Sequence, residues 1–174
     1  MLRTATALAS ALALAACATS PAAETNVLGS ANLQLADGRS AGTATLIRDG
    51  DELLMDVNVS GLPSGLHGIH LHTTGQCTPP DFQSAGGHLN PLNRDHGLSD
   101  PDGPHMGDLP NLEVEPVGAT TIRMDVTSDA DQVVPYIFDS DGTALVIHAK
   151  ADDNITDPSG NSGARLVCGV FRGS

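Results

Sequence analysis

Histidine side chains in this 174-residue chain occur at spacings that suit metal ligands. His70 and His72 are two residues apart in an apolar segment, so on a β-strand both side chains would leave the same face. His148 lies in a later apolar segment and can approach them from a neighbouring strand. A group of imidazoles without a thiolate is a donor set that suits copper. These three residues therefore form the nucleus of one candidate metal site.

A second group of candidate ligands lies between these two apolar segments. Three histidines and one aspartate fall within 21 residues, and they supply the three imidazoles and one carboxylate of a tetrahedral zinc site. They are His88, His96, His105 and Asp108. The alternative is a histidine-rich loop that binds metals without a defined geometry, but such tracts are usually of low complexity. The irregular spacing of these ligands among Gly and Pro favours a defined site.

The elements that must hold these ligands are predicted to be β-strands. Seven segments show the alternation of apolar and polar residues, or the short apolar run, that is typical of strands. They are residues 26–36, 42–48, 52–59, 66–72, 120–127, 143–149 and 164–171. Asp-Gly pairs at 37–38 and 49–50 are typical of hairpin turns. The pattern predicts an all-β antiparallel sandwich or barrel of seven or eight strands, with long loops at 73–111 and 152–163.

The N-terminal residues are typical of an export signal. An almost unbroken run of Ala and Leu at 7–16 is too short to span a membrane, and small residues lead directly to Cys17. This pattern resembles a bacterial lipoprotein signal, in which Cys17 is lipidated; the alternative is an ordinary secretory signal that happens to contain a cysteine. We expect a signal peptide at residues 1–16, a flexible tether at 17–25 and one domain at 26–174.

The remaining two cysteines are expected to pair. An exported protein folds in an oxidising compartment, where two cysteines in one domain favour a disulfide. We therefore expect a bond between Cys77 and Cys168, the alternative being two free buried thiols. Such a bond would tie the first long loop to the last predicted strand.

The charge of the chain restricts its partners. Eight basic and 21 acidic residues give a formal net charge of -13. Nucleic acids and anionic lipid surfaces are recognised through basic patches, so the composition argues against both as partners. A membrane is expected to be reached only through the N-terminal lipid.

Five segments that contain the candidate residues form an ordered series of motifs. They are GLHGIHLH at 65–72, SAGGHLNP at 84–91, His96 followed by HMGDL at 105–109, LVIHAKADD at 145–153 and GNSGARLVCG at 160–169. The series resembles the copper/zinc superoxide dismutase family, and the resemblance covers roughly residues 26–172. It implies an eight-stranded antiparallel Greek-key barrel with two long functional loops.

The resemblance also implies a role for each candidate residue. Copper would be bound by His70, His72, His88 and His148. Zinc would be bound by His88, His96, His105 and Asp108. His88 would thus be shared as a bridging imidazolate, Asp152 would hydrogen-bond one histidine of each set, and Arg165 would guide the anionic substrate to the copper. The disulfide would anchor the loop to the barrel, whereas His67 would have no ligand role.

The implied activity is the disproportionation of superoxide to dioxygen and hydrogen peroxide. It requires a metal that changes charge by one electron, which copper does and zinc does not. The enzyme would act in the periplasm, anchored to the outer membrane through Cys17, and would protect the cell envelope. A homodimer is one expected assembly, and the scarce aromatic residues Phe82 and Tyr136 are candidates for interface anchors, core residues or surface residues.

Two other functions are compatible with parts of the sequence. A metal storage or delivery module could share the fold, but relatives of that kind usually lack a copper ligand or the arginine, and here the full set is present. A structural lipoprotein could use its zinc loop for stability alone, but this leaves His70, His72 and His148 unexplained.

Overall fold

The computed structural model describes residues 26–174, which are built mainly from short β-strands. The elements are β1 Asn26–Leu35, β2 Ser40–Asp49, β3 Glu52–Val59, β4 Gly65–His67, β5 Ile69–His72, β6 Leu112–Val114, β7 Thr120–Thr127, α1 Ala130–Ile137, β8 Ala144–His148, β9 Arg165–Val170 and β10 Arg172–Gly173. A short 3-10 helix lies at Gln83–Ala85. The expected signal peptide, tether and Cys17 lie outside the described residues.

Eight strands form one curled antiparallel sheet in the order β5–β8–β9–β1–β2–β3–β7, with β10 beside β1. Strands β4 and β6 form a second, two-stranded sheet. Hairpins join β1, β2 and β3, but β9 returns from the far end of the chain to lie beside β1, which is a Greek-key connection. The predicted fold class and both long loops are confirmed.

The predicted strand at 66–72 is divided at Gly68. His67 pairs with Leu112 of β6, whereas Ile69 pairs with Ile147 of β8, so the segment passes from the small sheet to the large one. The backbone of Gly68 donates to Lys150 and accepts from His148, which holds the crossing point against the end of β8. Periodicity could not show this break because alternation continues through it.

Alternation along β5 and β8 separates the core from the candidate ligands. Ile69 and Leu71 of β5, with Leu145 and Ile147 of β8, point into the main hydrophobic core inside the barrel. His70 and His72 therefore leave the opposite face of β5, as the spacing predicted, and are fully buried beneath the long loops.

A second, smaller core lies on that outer face. Phe82 and Ala85 of the first long loop pack there against Ala144, Val146 and Cys168 of β8 and β9. The disulfide between Cys77 and Cys168 borders this core and confirms the predicted pairing. Phe82 is therefore a core residue, which decides among the three roles considered for it.

Helix α1 and strands β6 and β10 were not predicted. Helix α1 is only eight residues long, contains Pro135, and is capped by Asp129, whose side chain accepts a hydrogen bond from the backbone N–H of Gln132. Short helices depend on packing rather than propensity, and α1 buries Val133 and Ile137. In the part of the chain that is described, no helix combines the length and apolar character needed to cross a membrane.

We predict that replacing both Cys77 and Cys168 by Ser lowers the free energy of unfolding of the metal-free protein. The bond joins residues 91 apart, and closing a loop of that size stabilises a fold by about 4–5 kcal/mol through the entropy of the unfolded chain. Urea unfolding of both proteins, with and without reductant, measures the difference. Reductant should destabilise the parent and leave the double variant unchanged. Equal unfolding midpoints for the two proteins in the absence of reductant would contradict the prediction.

Candidate metal centre

Four buried imidazole nitrogens converge on one point above the outer face of β5 and β8. They are Nδ1 of His70 and Nε2 of His72, His88 and His148. All four lie within 4.8 Å of one another, and none has a hydrogen-bond partner among the described residues. A buried polar atom without a partner costs about 1–3 kcal/mol, so four at one point require an explanation. A metal ion bound by all four supplies one.

The other nitrogen of each ring is held by an acceptor, and this fixes which nitrogen faces the centre. Nε2 of His70 lies 2.5 Å from Oδ2 of Asp152. Nδ1 of His72 donates to the carbonyl of Gly86 at 3.0 Å, and Nδ1 of His148 donates to that of Gly163 at 3.1 Å. Carbonyl oxygens only accept, so Nδ1 carries the proton in both rings and Nε2 keeps its lone pair for a ligand.

Burial keeps the imidazoles of His72, His88 and His148 neutral. It lowers the pKa of His148 to about 3, with the nearby His70 adding to the effect. It lowers the pKa of His88 to about 4, although the hydrogen bond that His88 donates to Asp108 opposes the shift, and it takes the pKa of His72 well below its ordinary value. Neutral imidazole is the form that binds a single metal, so His72 and His148 are ready to act as donors at neutral pH, whereas His88 would lose its remaining ring proton on binding both metals.

The second ligand set surrounds Oδ1 of Asp108. This oxygen lies 2.8 Å from Nδ1 of His88, 3.1 Å from Nδ1 of His96 and 3.2 Å from Nδ1 of His105. Nδ1 of His88 and Nδ1 of His105 are 3.4 Å apart. A zinc ion about 2.0 Å from each donor requires ligand separations of roughly 3.3 Å in a tetrahedron. The four donors therefore fit zinc closely.

Backbone groups orient Asp108 toward this centre. Its Oδ2 accepts hydrogen bonds from the N–H groups of Gly97 and His105, both at 2.9 Å. Oδ1 is left to face the three imidazoles. The pKa of Asp108 falls well below its ordinary value because hydrogen bonds from His88, His96 and Gly97 outweigh the effect of burial. The carboxylate is therefore ionised, as a zinc ligand must be.

The zinc-ligand loop is held in place by pairing with the free edge of β5. Leu71 donates to Gly107 and accepts from Leu89, while Thr73 donates to Gly87. These contacts place Asp108 opposite His70 and His88 opposite His72. A Cβ on Gly107 would come within 2.3 Å of the Leu71 carbonyl, so only glycine allows this approach.

Asp152 connects the two ligand sets. Oδ2 lies 2.5 Å from Nε2 of His70 and 3.0 Å from Nε2 of His96, and Oδ1 lies 3.1 Å from the same nitrogen of His96. The backbone of Asp152 is clamped by Asn111, whose side chain both donates to its carbonyl and accepts from its N–H. Asn154 donates its backbone N–H to the carboxylate at 2.6 Å. Both rings are thus oriented by one ionised, nearly buried group.

His96 is held from two sides. Burial alone would lower its pKa, but the carboxylates of Asp108 and Asp152 raise it to about 9. Its backbone N–H also donates to Asp157 of the second long loop at 2.7 Å. Neither Asn111 nor Asp157 could be identified from the sequence, because their roles depend on contacts 41 and 61 residues along the chain.

Arg165 lies at the wall of a channel of about 400 Å³ that leads to both ligand sets. The channel is also lined by His72, His88, His105 and His148. Nη1 of Arg165 donates to the carbonyl of Phe82 at 2.8 Å, and Nη2 donates to that of Gly86 at 2.7 Å. Among the described residues no carboxylate forms an ion pair with it, so its positive charge remains available to an anion in the channel.

His67 lies behind the site and faces neither ligand set. Its ring nitrogens are 2.6 Å from the carbonyl of His148 and 2.9 Å from that of Pro63. The structure therefore brings together every residue proposed from the sequence as a ligand, the linking Asp152 and Arg165, and it leaves His67 outside.

These features define a class of protein: a β-barrel with two adjacent groups of candidate metal ligands that share one imidazole, beside a channel lined by an arginine. The family model for copper/zinc superoxide dismutase (SODC) matches residues 40–171. The chain belongs to the copper/zinc superoxide dismutase family and is an oxidoreductase whose cofactors are copper and zinc.

Individual relatives agree with this assignment. The chain is 45% identical over 133 residues to the superoxide dismutase-like protein YojM of Bacillus subtilis, covering 74% of this chain and 68% of that protein. It is 40% identical over 141 residues to superoxide dismutase [Cu-Zn] 2 of Aquifex aeolicus, covering 78% and 81%.

Solved structures extend the agreement to the fold. A SOD-like protein from Bacillus subtilis superimposes with a TM-score of 0.77 at 40% identity, covering 83% of this chain and 99% of that one. The Cu/Zn superoxide dismutase from Brucella abortus gives a TM-score of 0.68 at 26% identity, covering 86% and 100%.

We predict that Asp152→Asn weakens the binding of both metals, because the amide cannot accept equally from His70 and His96. Loss of a group that orients metal ligands typically costs 10–100-fold in affinity. Competition with a chelator of known affinity measures copper and zinc separately. The control is Asp125→Asn, the same charge change at an exposed position on β7. Equal affinities in the two variants would contradict a role for Asp152 in orienting the ligands.

Proposed function

We propose that this protein disproportionates superoxide with copper held by His70, His72, His88 and His148 and zinc held by His88, His96, His105 and Asp108. The observation that carries this proposal is the convergence of four imidazole nitrogens at the end of a channel walled by an arginine. Within residues 26–174 the nitrogens have no hydrogen-bond partner and the arginine has no carboxylate partner. Copper, when bound, supplies the one-electron change by which one superoxide is oxidised to dioxygen and the next is reduced to peroxide.

Arg165 acts on the substrate. Its guanidinium is fixed by two carbonyl oxygens, which orient it without neutralising its charge. Burial lowers the pKa of Arg165 and Asp81 opposes this, but an arginine stays protonated throughout the physiological range. On a chain with a formal net charge of -13, this fixed cation gives an anion a favourable position inside the channel.

His88 takes up a proton and transfers it to the reduced substrate. Its Nδ1 faces the zinc set and its Nε2 faces the copper set, so the ring lies between the two. With Nδ1 engaged, Nε2 is the atom that can take up a proton and deliver it to the reduced substrate. Asp108 and the zinc set keep the ring in one orientation while this happens.

A metal-binding module without dismutase activity is the second candidate function. It is favoured by one observation, namely that a relative 45% identical to this chain is named superoxide dismutase-like. The complete copper set and the charge of Arg165, which no carboxylate of the described residues pairs with, favour the enzyme.

We predict that His148→Ala abolishes copper binding and superoxide consumption while zinc is retained, because His148 belongs to the copper set alone.

We also predict that Arg165→Ala keeps both metals and slows the reaction at least about tenfold. The dependence of the rate on ionic strength should become weaker, since electrostatic attraction of the anion is screened by salt.

Metal analysis of each purified variant, together with superoxide decay followed by stopped flow, makes these measurements. Arg172→Ala, the same change at an exposed position on β10, is the control and should behave as the parent. Zinc alone in the parent protein, with no superoxide consumption, would exclude the enzyme and support a binding module.

We further propose that the protein is exported as a lipoprotein, with residues 1–16 removed, Cys17 lipidated and residues 17–25 serving as a tether to the outer membrane. The support is the small-residue run that ends at Cys17. Two relatives, from Haemonchus contortus and Caenorhabditis elegans, are named extracellular superoxide dismutases. The enzyme would then meet superoxide arising outside the cytoplasm.

We predict that the full-length protein partitions into detergent and that Cys17→Ser moves it to the aqueous phase, because two acyl chains anchor a protein stably. Phase partition after expression in a bacterium measures this, and intact mass spectrometry of the mature N-terminus identifies the lipid. A soluble parent cleaved at another position would support an ordinary secretory signal instead.

A homodimer is also part of the proposed assembly. Of the two aromatic side chains considered as interface anchors, Phe82 is fully buried, while Tyr136 exposes 39% of its surface. Tyr136 is therefore the one of the pair that could contact a partner.

A further inference from the structure

The loop between Cys77 and His88 holds Arg165 by its backbone. Both acceptors of the guanidinium, the carbonyls of Phe82 and Gly86, belong to this loop. Carbonyl acceptors place a cation only as accurately as their own backbone is fixed. The position of Arg165 in the channel therefore depends on what fixes residues 82–86.

Phe82 is the main apolar contact of this loop with the barrel. Its ring is 0% exposed and packs in the small outer core with Ala144, Val146 and Cys168, apart from the main core. Ala85 is the other loop residue between the disulfide and Gly86 in that core, and it is much smaller. Burial of this ring therefore packs the loop against the outer face of β8 and β9.

The backbone of Phe82 is itself in an unusual conformation. Its φ is +54°, in the left-handed region that a bulky side chain rarely adopts. Such a conformation persists only where the surroundings hold it, and here burial of the ring does so. The same residue therefore has a buried side chain on one side and a carbonyl aimed at Arg165 on the other.

The disulfide fixes a different part of the loop. Cys77 lies five positions before Phe82, and the hydroxyl of Ser84, two positions after it, accepts from Thr78 and donates to Gln76. The backbone N–H of Phe82 also donates to the carbonyl of Thr78, and its carbonyl also accepts from the N–H of Ala85. These contacts hold the turn together, and the ring of Phe82 is what packs this turn against β8 and β9.

We propose that Phe82 is a positioning residue for Arg165: its buried ring fixes the carbonyl that orients the guanidinium toward the anion. The inference rests on the proposed function of Arg165 as the group that guides the anionic substrate. It assigns to a hydrophobic residue outside both ligand sets a specific effect on anion affinity.

The test measures anion affinity as well as activity. Azide is titrated into the copper- and zinc-loaded protein and followed by the visible absorption of copper. Phe82→Ala should weaken azide binding several-fold and slow superoxide consumption, approaching the values of Arg165→Ala, with unchanged metal content. Phe82→Leu keeps most of the buried volume and should restore much of the azide affinity and of the rate of superoxide consumption. It replaces Phe82→Ala in the test if the Ala variant does not fold.

The matched control is Phe171→Leu. Phe171 is 3% exposed and packs in the main core, so this change also removes a buried ring but leaves the loop alone. It should lower stability without changing azide affinity. If Phe82→Ala and Phe82→Leu likewise lower stability with azide affinity equal to the parent, the ring serves packing only and the proposal is overturned.

A double substitution separates this proposal from the function it depends on. Where Arg165 is already Ala, adding Phe82→Ala should change neither azide affinity nor rate, because the group that Phe82 positions is gone. A further loss in the double variant would overturn the proposal. If Arg165→Ala alone changes neither quantity, the proposed role of Arg165 fails first; if it lowers both and Phe82→Ala does not, only the role of Phe82 fails.

Discussion

The metal centre depends on the hydrogen bonds between the carboxylate of Asp152 and one histidine of each ligand set. The carboxylate contacts His70 of one ligand set and His96 of the other, and it belongs to the second long loop rather than to either set. Because the group is nearly buried, its contacts are stronger than they would be in water. Hydrogen bonds from the two histidines and Asn154 outweigh the effect of burial and lower the pKa of Asp152 below its ordinary range, so the carboxylate stays ionised at neutral pH. Asn111 then ties it to the end of the first loop, and three distant parts of the chain meet at one group.

The way in which the two nitrogens of each imidazole are used explains why the two ligand sets overlap at one residue. Each imidazole has two nitrogens, and in His70, His72 and His148 one of them is used by an oxygen acceptor. The nitrogen that remains has no hydrogen-bond partner in residues 26–174, and it faces the centre of the copper set. His88 differs because its second nitrogen faces Asp108 and the other zinc-set histidines. His88 therefore belongs to both ligand sets, and a change of charge in the copper set can act on the zinc set through its ring.

The outer face of β5 and β8 has two functions that share one set of loops. Around His70 and His72 it carries the ligand sets, and around Val146 it carries a small apolar core. The loop that closes this core also supplies both acceptors of Arg165. Packing on this face thus determines where a cation lies in the channel, even though the packed side chains touch neither an anion nor a metal.

The sequence by itself determined the donor types, most of the strands and the disulfide. The two-residue spacing of His70 and His72 places both on one face because strand periodicity is a local property. The tertiary structure decided which nitrogen of each ring faces the centre and where Asn111 and Asp157 act, because these depend on acceptors far along the chain. It also decided the break at Gly68 and the formation of α1, since pairing between sheets and packing against a barrel are not encoded in any local period.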